Sequence, residues 1–377
     1  MSGRFLRLAC TAAVAAQAVL APAPVAAAPA APVPERPVAE LLTDLQQRYR
    51  QAEAATETYN ATEERLKRQR AEVDRLDDEL AGSRRSLHTS EAAAGRLARQ
   101  QYQSATGLSP YLRLLLARDP QHALDEGHVI GQLARERART VDRLADDERK
   151  RSELTRRARA ALDTRLALAA RQKEQRDEVR SRLSDVERML AALTPDQLTA
   201  VAGLEQAGVT AAQRRLTTSG ALAATTPPPS PEGDRAVRYA VDQLGKPYRW
   251  GTAGPLSYDC SGLTQQAWDH AGTAIPRTSQ EQWSGLPHIP LADLRPGDLV
   301  VYFPEATHVA LYLGDGKVVQ APRPGARIKV SPIAANPILG AVRPDPRARP
   351  LARYTPPELP PSATQGPDEG YRPTSNL

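Results

Sequence analysis

The sequence Y-D-C-S-G-L at residues 258–263 decides how the second half of this 377-residue chain is interpreted. A glycine-rich loop precedes it, and Leu263 and Ala267 follow Cys260 at the spacing of one helical face, so we expect a helix over residues 260–272. The sulfur would then lie at the amino end of that helix, where the dipole and the backbone amides favour a thiolate. The same amides can hold an oxyanion, so Cys260 is a candidate nucleophile.

Such a nucleophile needs a base, and the chain contains six histidines. His308 begins the run H-V-A-L-Y-L, which is followed by G-D-G and then by K-V-V-Q-A, a pattern typical of a β-hairpin. If the turn pairs Leu313 with Lys317, side-chain alternation puts His308 and Gln320 on one face as diagonal neighbours. Gln320 can therefore orient the imidazole of His308.

The other histidines fit the role of base less well. His270 lies on the predicted helix roughly 15 Å beyond the sulfur, which is too far for proton transfer. His288 lies in a loop before Pro290 and is kept as a reserve candidate. The remaining three lie in the helical first half and match no metal-ligand spacing, so we expect them at the surface: His88, His122 and His128.

Each candidate also has a structural interpretation. A free cysteine often packs as a small hydrophobic residue, and polar residues such as His308 and Gln320 are common at strand ends. The occurrence of all three in one segment favours catalysis over these separate explanations.

Five motifs in this half occur in a specific order. They are G-K-P-Y-R-W-G from residue 245, Y-D-C-S-G-L from 258, I-P-R-T-S-Q-E-Q from 275, L-R-P-G-D-L-V from 294 and H-V-A-L-Y-L-G-D-G-K-V-V-Q-A-P from 308. Their combination resembles the NlpC/p60 family of cell-wall cysteine endopeptidases, a papain-like group. The resemblance implies a catalytic triad of Cys260, His308 and Gln320. The family commonly has histidine in the third place, and a neutral glutamine cannot stabilise an imidazolium as a carboxylate would.

The resemblance also implies substrate contacts beside the nucleophile. Tyr248 corresponds to the tyrosine near the oxyanion, and Asp259 and Ser261 flank the cysteine where relatives contact substrate. Asp259 fits almost as well as the cap of the predicted helix. Asp298, in P-G-D-L, is interpreted as a turn residue. Further residues expected to line the groove are Arg277, Thr278, Ser279 and Gln282.

The first half of the chain is rich in helix-forming residues and contains a heptad pattern. Apolar or small residues recur every seven positions at Leu45, Ala52, Tyr59, Leu66, Val73, Leu80 and Leu87. A second periodic stretch contains Val179, Leu183, Val186, Leu190 and Leu193. Between the two stretches, the pattern is expected to break into short pieces at Gly107, Pro110, Pro120 and Gly127. We therefore predict a coiled-coil helical hairpin with solvated charged faces, followed by a short helix from Pro195 to about Gly208 that Thr194 caps.

The predicted fold is an α+β papain-like domain preceded by an all-α coiled-coil hairpin. Its parts are a signal peptide over residues 1–30, a helical region over 38–214, a Pro/Thr/Ala-rich linker over 215–233, the peptidase domain over 234–345 and a disordered tail over 346–377. The linker would let the hairpin cover the substrate groove until a partner withdraws it.

The amino terminus predicts export. Arg4 and Arg7 precede an apolar stretch over residues 8–20, and small residues then offer a cleavage site. A membrane anchor is the alternative, but the apolar run is short for a spanning helix. Cleavage would remove Cys10 and leave Cys260 without a disulfide partner in an oxidising compartment. We expect a secreted protein in the extracellular space or associated with the cell wall.

The expected activity is hydrolysis of a stem-peptide bond of peptidoglycan, between D-glutamate and a diamino acid according to the resemblance, without cofactor or metal. A formal net charge of +6 suits an anionic envelope, and no nucleic-acid recognition motif is present. A membrane or divisome regulator is an expected partner of the coiled coil. Two alternatives stay open: a non-catalytic wall-binding adaptor that recruits hydrolases, and thiol chemistry of another kind, either acyl transfer or amidase cleavage.

Overall fold

The computed structural model describes residues 36–104, Leu112, Leu116 and residues 119–364. The predicted signal peptide over residues 1–30, and Gly107 and Pro110 of the predicted break, lie outside the described residues. In the described part of the chain, no helix combines the length and the apolarity that crossing a membrane requires. Residues from Val38 onward form one unit that includes both the helices and the sheet.

Two long helices form an antiparallel hairpin. Helix α1 spans Val38–Ser104 and helix α2 spans Pro120–Ala191. Near one end Leu45 packs with Val186 and Leu190, and further along Leu80 packs with Leu154. Helix α2 begins at Pro120 and continues through Gly127, so the prediction of short pieces there is wrong. Proline is tolerated in a first helical turn, where its missing N–H has no partner to lose.

The heptad positions explain the packing of α1 except at Tyr59. Six of the seven predicted positions are buried, whereas Tyr59 is only half-buried. Its ring meets the ring of Trp250 edge-on, with 5.3 Å between centroids. Tyr59 and Trp250 both pack against the contact of Ala52 with Val179 and Leu183, so the hairpin and the second half of the chain share a core at this level.

Helix α3 spans Pro195–Thr218 and joins the two halves. Thr194 and Gln197 form the capping box at its start. The predicted end near Gly208 is wrong, because Leu216 continues the apolar face onto the sheet domain and Gln213 hydrogen-bonds to it. The non-helical connection is consequently shorter than the predicted linker and covers residues 219–230.

The second half contains three helices and an antiparallel sheet. Helices α4, α5 and α6 span Pro231–Asp242, Cys260–His270 and Ser279–Gly285. The strands are β1 His288–Ile289, β2 Leu299–Tyr302, β3 His308–Gly314, β4 Lys317–Gln320, β5 Lys329–Pro332 and β6 Ile338–Val342. Their order across the sheet is β1-β6-β2-β3-β4-β5. Short 3-10 turns lie at Leu291–Asp293 and Ile333–Ala335.

Side-chain alternation gives the sheet two buried faces. On one face Val309 and Leu311 pack against helices α4 and α5, including Leu263 and Trp268. On the other face Ala310, Tyr302 and Val318 pack with one another, and Leu216 of α3 covers them. Strand β3 is buried along its whole length, including its first residue, His308.

The carboxyl-terminal segment differs from the predicted disordered tail. Residues 346–364 contain no helix or strand, but they lie along the sheet domain. Val330 donates its backbone N–H to the Ala363 carbonyl at 2.8 Å, and Ala363 is buried. The prediction is wrong for this stretch because composition records the absence of regular structure and not the packing of an extended chain. Residues 365–377 lie outside the described part.

Candidate active site

The start of α5 places the Cys260 sulfur. Asp259 caps the helix by accepting the Gly262 backbone N–H at 2.7 Å, and Cys260 is the first helical residue. Arg277 donates two hydrogen bonds to the Asp259 carboxylate, at 2.7 and 2.9 Å, and both groups are buried. A Cβ on Gly262 would overlap the Thr252 carbonyl oxygen. The glycine of the Y-D-C-S-G-L motif is therefore required for close packing of this helix against the preceding loop.

Strands β3 and β4 bring His308 and Gln320 together. Leu311 pairs with Val319, which is the predicted register of the hairpin, although the turn itself pairs Gly314 with Lys317 through a bulge. His308 Nε2 lies 2.8 Å from Gln320 Oε1. Because an amide oxygen only accepts, this contact assigns the imidazole proton to Nε2 and leaves Nδ1 as the basic nitrogen.

The sulfur lies beside the first residues of β3. The backbone N–H of Val309, the residue after His308, hydrogen-bonds to the Cys260 sulfur. Cys260 is 2% exposed and His308 is fully buried. The structure thus brings together the three residues of the predicted triad at the junction of α5 and the sheet.

Burial opposes ionisation of both groups. It raises the pKa of Cys260 well above its ordinary value, and the charges of Glu57 and Asp259 raise it further. Burial also lowers the pKa of His308 to about 4, and the hydrogen bond to Gln320 opposes this shift. The predicted thiolate is therefore wrong for this conformation, because burial and neighbouring carboxylates outweigh the helix dipole.

The other residues predicted at the substrate site take different positions in the structure. Tyr248 is buried, its pKa is raised by burial, and its backbone pairs with Tyr258, two residues before the nucleophile. Asp259 acts as a helix cap, as the alternative interpretation held. Ser261 and Ser279 are fully buried, and the Ser261 hydroxyl and the Ser279 backbone N–H donate to Glu57 of helix α1.

Three other residues named in the sequence analysis make structural hydrogen bonds. Thr278 caps α6. Gln282 is buried and donates to the Ser261 carbonyl at 3.2 Å. Asp298 accepts the Arg295 backbone N–H, as expected of a turn residue, and also pairs with Arg343.

The histidines that were set aside lie away from this centre. The ring of His270 packs against Tyr239 with 4.8 Å between centroids. His288 is exposed and stacks on Trp283 at 3.9 Å. Neither ring contacts the sulfur, so His308 is the histidine that fits the role of base.

Helix α1 contributes three site residues that the sequence predictions missed: Glu53, Glu57 and Asn60. Glu57 accepts hydrogen bonds from the Ser261 hydroxyl at 2.7 Å and the Ser279 backbone N–H at 2.8 Å. A signal for this contact exists, since the otherwise arginine-rich helix has no lysine or arginine over residues 51–64. That stretch is rich in alanine and threonine, which allow close approach of another surface.

Comparison with known proteins supports the assignment of the fold. Residues 245–340 match the model of the NlpC/P60 family, so the second half of the chain contains an NlpC/P60 domain. A probable endopeptidase of Mycobacterium tuberculosis is 40% identical over 114 residues, covering 29% of this chain and 30% of that protein. The peptidoglycan endopeptidase RipB of the same organism is 36% identical over 111 residues, covering 26% of this chain and 46% of RipB.

A solved structure extends the comparison. RipD of M. tuberculosis, described as a non-catalytic NlpC/p60 domain protein adapted to peptidoglycan binding, is 31% identical. The match covers 30% of this chain and 96% of that one, with a TM-score of 0.28. The chain spans less than half the length of either curated endopeptidase. The family-model match over residues 245–340 lies within the second half of the chain, which contains the sheet.

Proposed function

We propose that this protein is an exported cysteine endopeptidase that hydrolyses a peptide bond in the stem peptides of peptidoglycan. The observation that carries the proposal is the junction of α5 with β3 and β4. There the Cys260 sulfur lies at a helix amino terminus beside the strand that begins with His308, and Gln320 holds the Nε2 side of that imidazole.

The chemistry follows from this arrangement. His308 Nδ1 accepts the thiol proton, and the sulfur attacks the peptide carbonyl to give a tetrahedral oxyanion near the first amides of α5 and Tyr248. Collapse of this intermediate forms a thioester and releases the amine, which takes the proton from the imidazolium. A water molecule, deprotonated by the same nitrogen, then hydrolyses the thioester.

The hydrogen-bond donors beside the sulfur support an acidic substrate, because they already hold a carboxylate. The Ser261 hydroxyl and the Ser279 N–H donate to the Glu57 carboxylate, and the Arg277 guanidinium lies 2.9 Å from the Ser261 oxygen. Stem peptides carry free carboxylates next to their unusual peptide bonds. We propose cleavage between D-glutamate and a diamino acid, with the substrate carboxylate held by these donors.

A non-catalytic adaptor is the second candidate function. The arrangement of the site disfavours this function. Cys260 lies beside the strand that begins with His308, and Gln320 contacts His308, whereas a binding module needs no nucleophile oriented in this way. Cell-wall location is part of the same proposal and agrees with the name of the relative RipB, a peptidoglycan endopeptidase.

Digestion of purified peptidoglycan tests the proposed function. Glu57→Lys, which removes the carboxylate that accepts from Ser261 and Ser279 beside the sulfur, should release stem-peptide fragments whose new termini, identified by mass spectrometry, are D-glutamate and the diamino acid. Adding Cys260→Ala to this variant should abolish release without changing the circular dichroism spectrum. Equal release by the two proteins would refute the proposal, and fragments cut at the sugar junction would indicate amidase activity.

A further inference from the structure

A cavity of about 780 Å³ lies between helices α1 and α3 and the sheet domain. The domain contributes Phe303 after β2, the end of β4 with the loop that follows it, and the segment that leads into β6. Gln320 and Glu53 line both this cavity and the candidate active site, whereas the Cys260 sulfur does not line the cavity. Pockets of roughly 300–1,000 Å³ hold small-molecule ligands in proteins. The cavity is therefore a neighbouring site of ligand size and not the catalytic groove.

More of the cavity wall is apolar than polar. Its large apolar side chains are mostly branched aliphatic ones: Leu42, Leu204, Val209, Leu216, Phe303 and Ile338. Leu204 is 45% exposed. Apolar surface in contact with water costs free energy in proportion to its area, and a ligand with a hydrocarbon body would remove that contact. A peptide would instead leave its backbone amides without partners against this wall.

Phe303 lines the cavity from a strained backbone. Its φ angle is 63°, in the left-handed region that bulky residues rarely adopt. Two backbone hydrogen bonds of 2.9 Å hold this conformation, from the Phe303 N–H to the Pro337 carbonyl and from the Ala306 N–H to the Phe303 carbonyl. Strain of this kind persists where the surrounding structure imposes it, and it is concentrated at functional sites. The fold thus keeps an aromatic ring at the cavity wall at a conformational cost.

The charged residues that line the cavity have a positive balance. Arg323 forms an ion pair with Glu205 at 2.9 Å, so these two charges offset each other. Arg50 and Arg215 also line the cavity and are exposed. Among the residues that the structure describes, neither of these two guanidinium groups forms an ion pair. The Arg50 guanidinium lies over the Phe303 ring at 5.9 Å. Two cationic groups therefore face the cavity without a carboxylate partner from the described chain.

Glu53 is the buried carboxyl group of this cavity. Its side chain is 8% exposed and lies 3.7 Å from His308 Nδ1, which is too long for a hydrogen bond. Burial raises the pKa of Glu53 to about 8, so this carboxyl group carries a proton at neutral pH. A protonated carboxyl group donates a hydrogen bond to an anion and does not repel it. Glu53 thus adds a buried donor to the two arginines.

We propose that this cavity binds a small anionic amphiphile, with one carboxylate or phosphate group against Arg50 and Arg215 and a hydrocarbon body along the apolar wall. An inorganic anion would leave the apolar wall in contact with water, and a neutral hydrocarbon would leave the two arginines without a partner. A free fatty acid and a phosphate-headed lipid share the required chemistry. The inference goes beyond the proposed function, since it needs no reaction at Cys260.

Isothermal titration calorimetry of the full-length chain tests this site with decanoate and with decyl phosphate, each below the concentration at which it forms micelles. At least one of the two should bind at one site per chain. Tighter binding of decanoate would identify a fatty acid as the ligand class, and tighter binding of decyl phosphate a lipid phosphate. Decyltrimethylammonium has the same hydrocarbon body with a cationic head, so it should bind about tenfold more weakly or less.

Three variants test whether binding occurs in the cavity. Arg50→Glu reverses one of the two unpaired charges and should weaken binding of the anionic probe by about tenfold or more. Arg48→Glu makes the same change at an exposed position of α1 that does not line the cavity, so it is the matched control and should bind as the wild-type chain does. Leu204→Glu places a charge on the apolar wall at a partly exposed position and should weaken binding by a similar factor. Circular dichroism should show the same helix content in all four proteins.

Three results would overturn the proposal. They are no saturable binding of either anionic probe, equal affinity for the cationic amphiphile, and an affinity for the anionic probe that neither Arg50→Glu nor Leu204→Glu lowers. Binding is measured without peptidoglycan, so its failure is distinct from a failure of the proposed peptidase function in the digestion of purified wall.

Discussion

Raising the pH should loosen the contact between α1 and the active site. Burial raises the pKa of Glu53 from 4.5 to about 8 when α1 is bound, whereas a released helix exposes this carboxyl group to water. The bound state therefore retains a proton that the released state loses. The protonation of Glu53, considered alone, makes binding of α1 strongest at low pH. Binding then weakens as the pH rises towards about 8.

Other groups in the contact define the useful pH window. The pKa of His308 is lowered from 6.5 to about 4 by burial, so below pH 6.5 its protonation favours release and opposes the effect of Glu53. Cys260 has an ordinary pKa of 9.0 that is raised by burial, so it adds to release only above that pH. Glu57 titrates in the same direction as Glu53, since burial and the Asp259 charge raise its pKa. Arg323 and the other arginines stay charged throughout.

The size of the effect follows from proton linkage. Between about pH 6.5 and pH 8, loss of the Glu53 proton weakens binding of α1 by about 1.6 kcal/mol, roughly fifteenfold in the equilibrium constant. The assay is the rate of Cys260 alkylation in the wild-type chain divided by the rate in Glu53→Gln at each pH. Glutamine cannot titrate, and the ratio cancels the intrinsic pH dependence of the thiol. A ratio that stays constant or falls across this window would refute the reasoning.

Three further predictions concern stability and catalysis. Arg277→Met leaves the buried Asp259 carboxylate without its partner and should lower the free energy of unfolding by about 3–5 kcal/mol in urea titration; a loss below about 1 kcal/mol would contradict a buried pair. Gly262→Ala forces a Cβ onto the Thr252 carbonyl and should cost about 1–3 kcal/mol and lower the melting temperature, so an unchanged melting temperature would contradict the packing described. Gln320→Ala, made in a Glu57→Lys background, should lower kcat while KM changes little, and a loss confined to KM would argue against a role in orienting the imidazole.

Two parts of the candidate active site were predictable because the geometry of each part is local. The helix after Cys260 follows from the spacing of Leu263 and Ala267, and the contact between His308 and Gln320 follows from strand alternation across a short turn. Even the bulge that shifts the turn leaves the register of Leu311 with Val319 unchanged. The two-residue alternation of a strand and the three-to-four-residue spacing of a helix predict these parts without any distant contact.

The contacts of this site with helix α1 were not predictable from the same patterns. Glu57 and Cys260 are separated by 203 positions, and no local rule relates them. The heptad pattern describes the side of α1 that faces α2, whereas the polar side that meets the domain has no apolar period. Only the absence of cations over residues 51–64 marks it. The thiolate expected from the helix dipole is likewise opposed by distant contacts, since burial and then the charges of Glu57 and Asp259 raise the pKa of Cys260.

The wrong predictions for the end of helix α3 and for the carboxyl-terminal segment have a related origin. Helix α3 continues past Gly208 because contacts of Gln213 and Leu216 with the sheet domain stabilise its last turns. The segment up to residue 364 is ordered through single backbone hydrogen bonds and the burial of Ala363, which composition does not record. In both cases tertiary contacts override a local tendency to end or unfold.

Detection of an acyl-enzyme would test most directly whether this sulfur performs the chemistry that α1 blocks. Glu57→Lys, mixed rapidly with a stem-peptide substrate and quenched in acid, should yield a tryptic peptide containing Cys260 whose mass is increased by the acyl fragment. The wild-type chain should yield far less of it, because α1 occupies the groove. Release of the same fragments by a Glu57→Lys, Cys260→Ala double variant, or turnover of Glu57→Lys with the adduct on any other residue, would contradict the account.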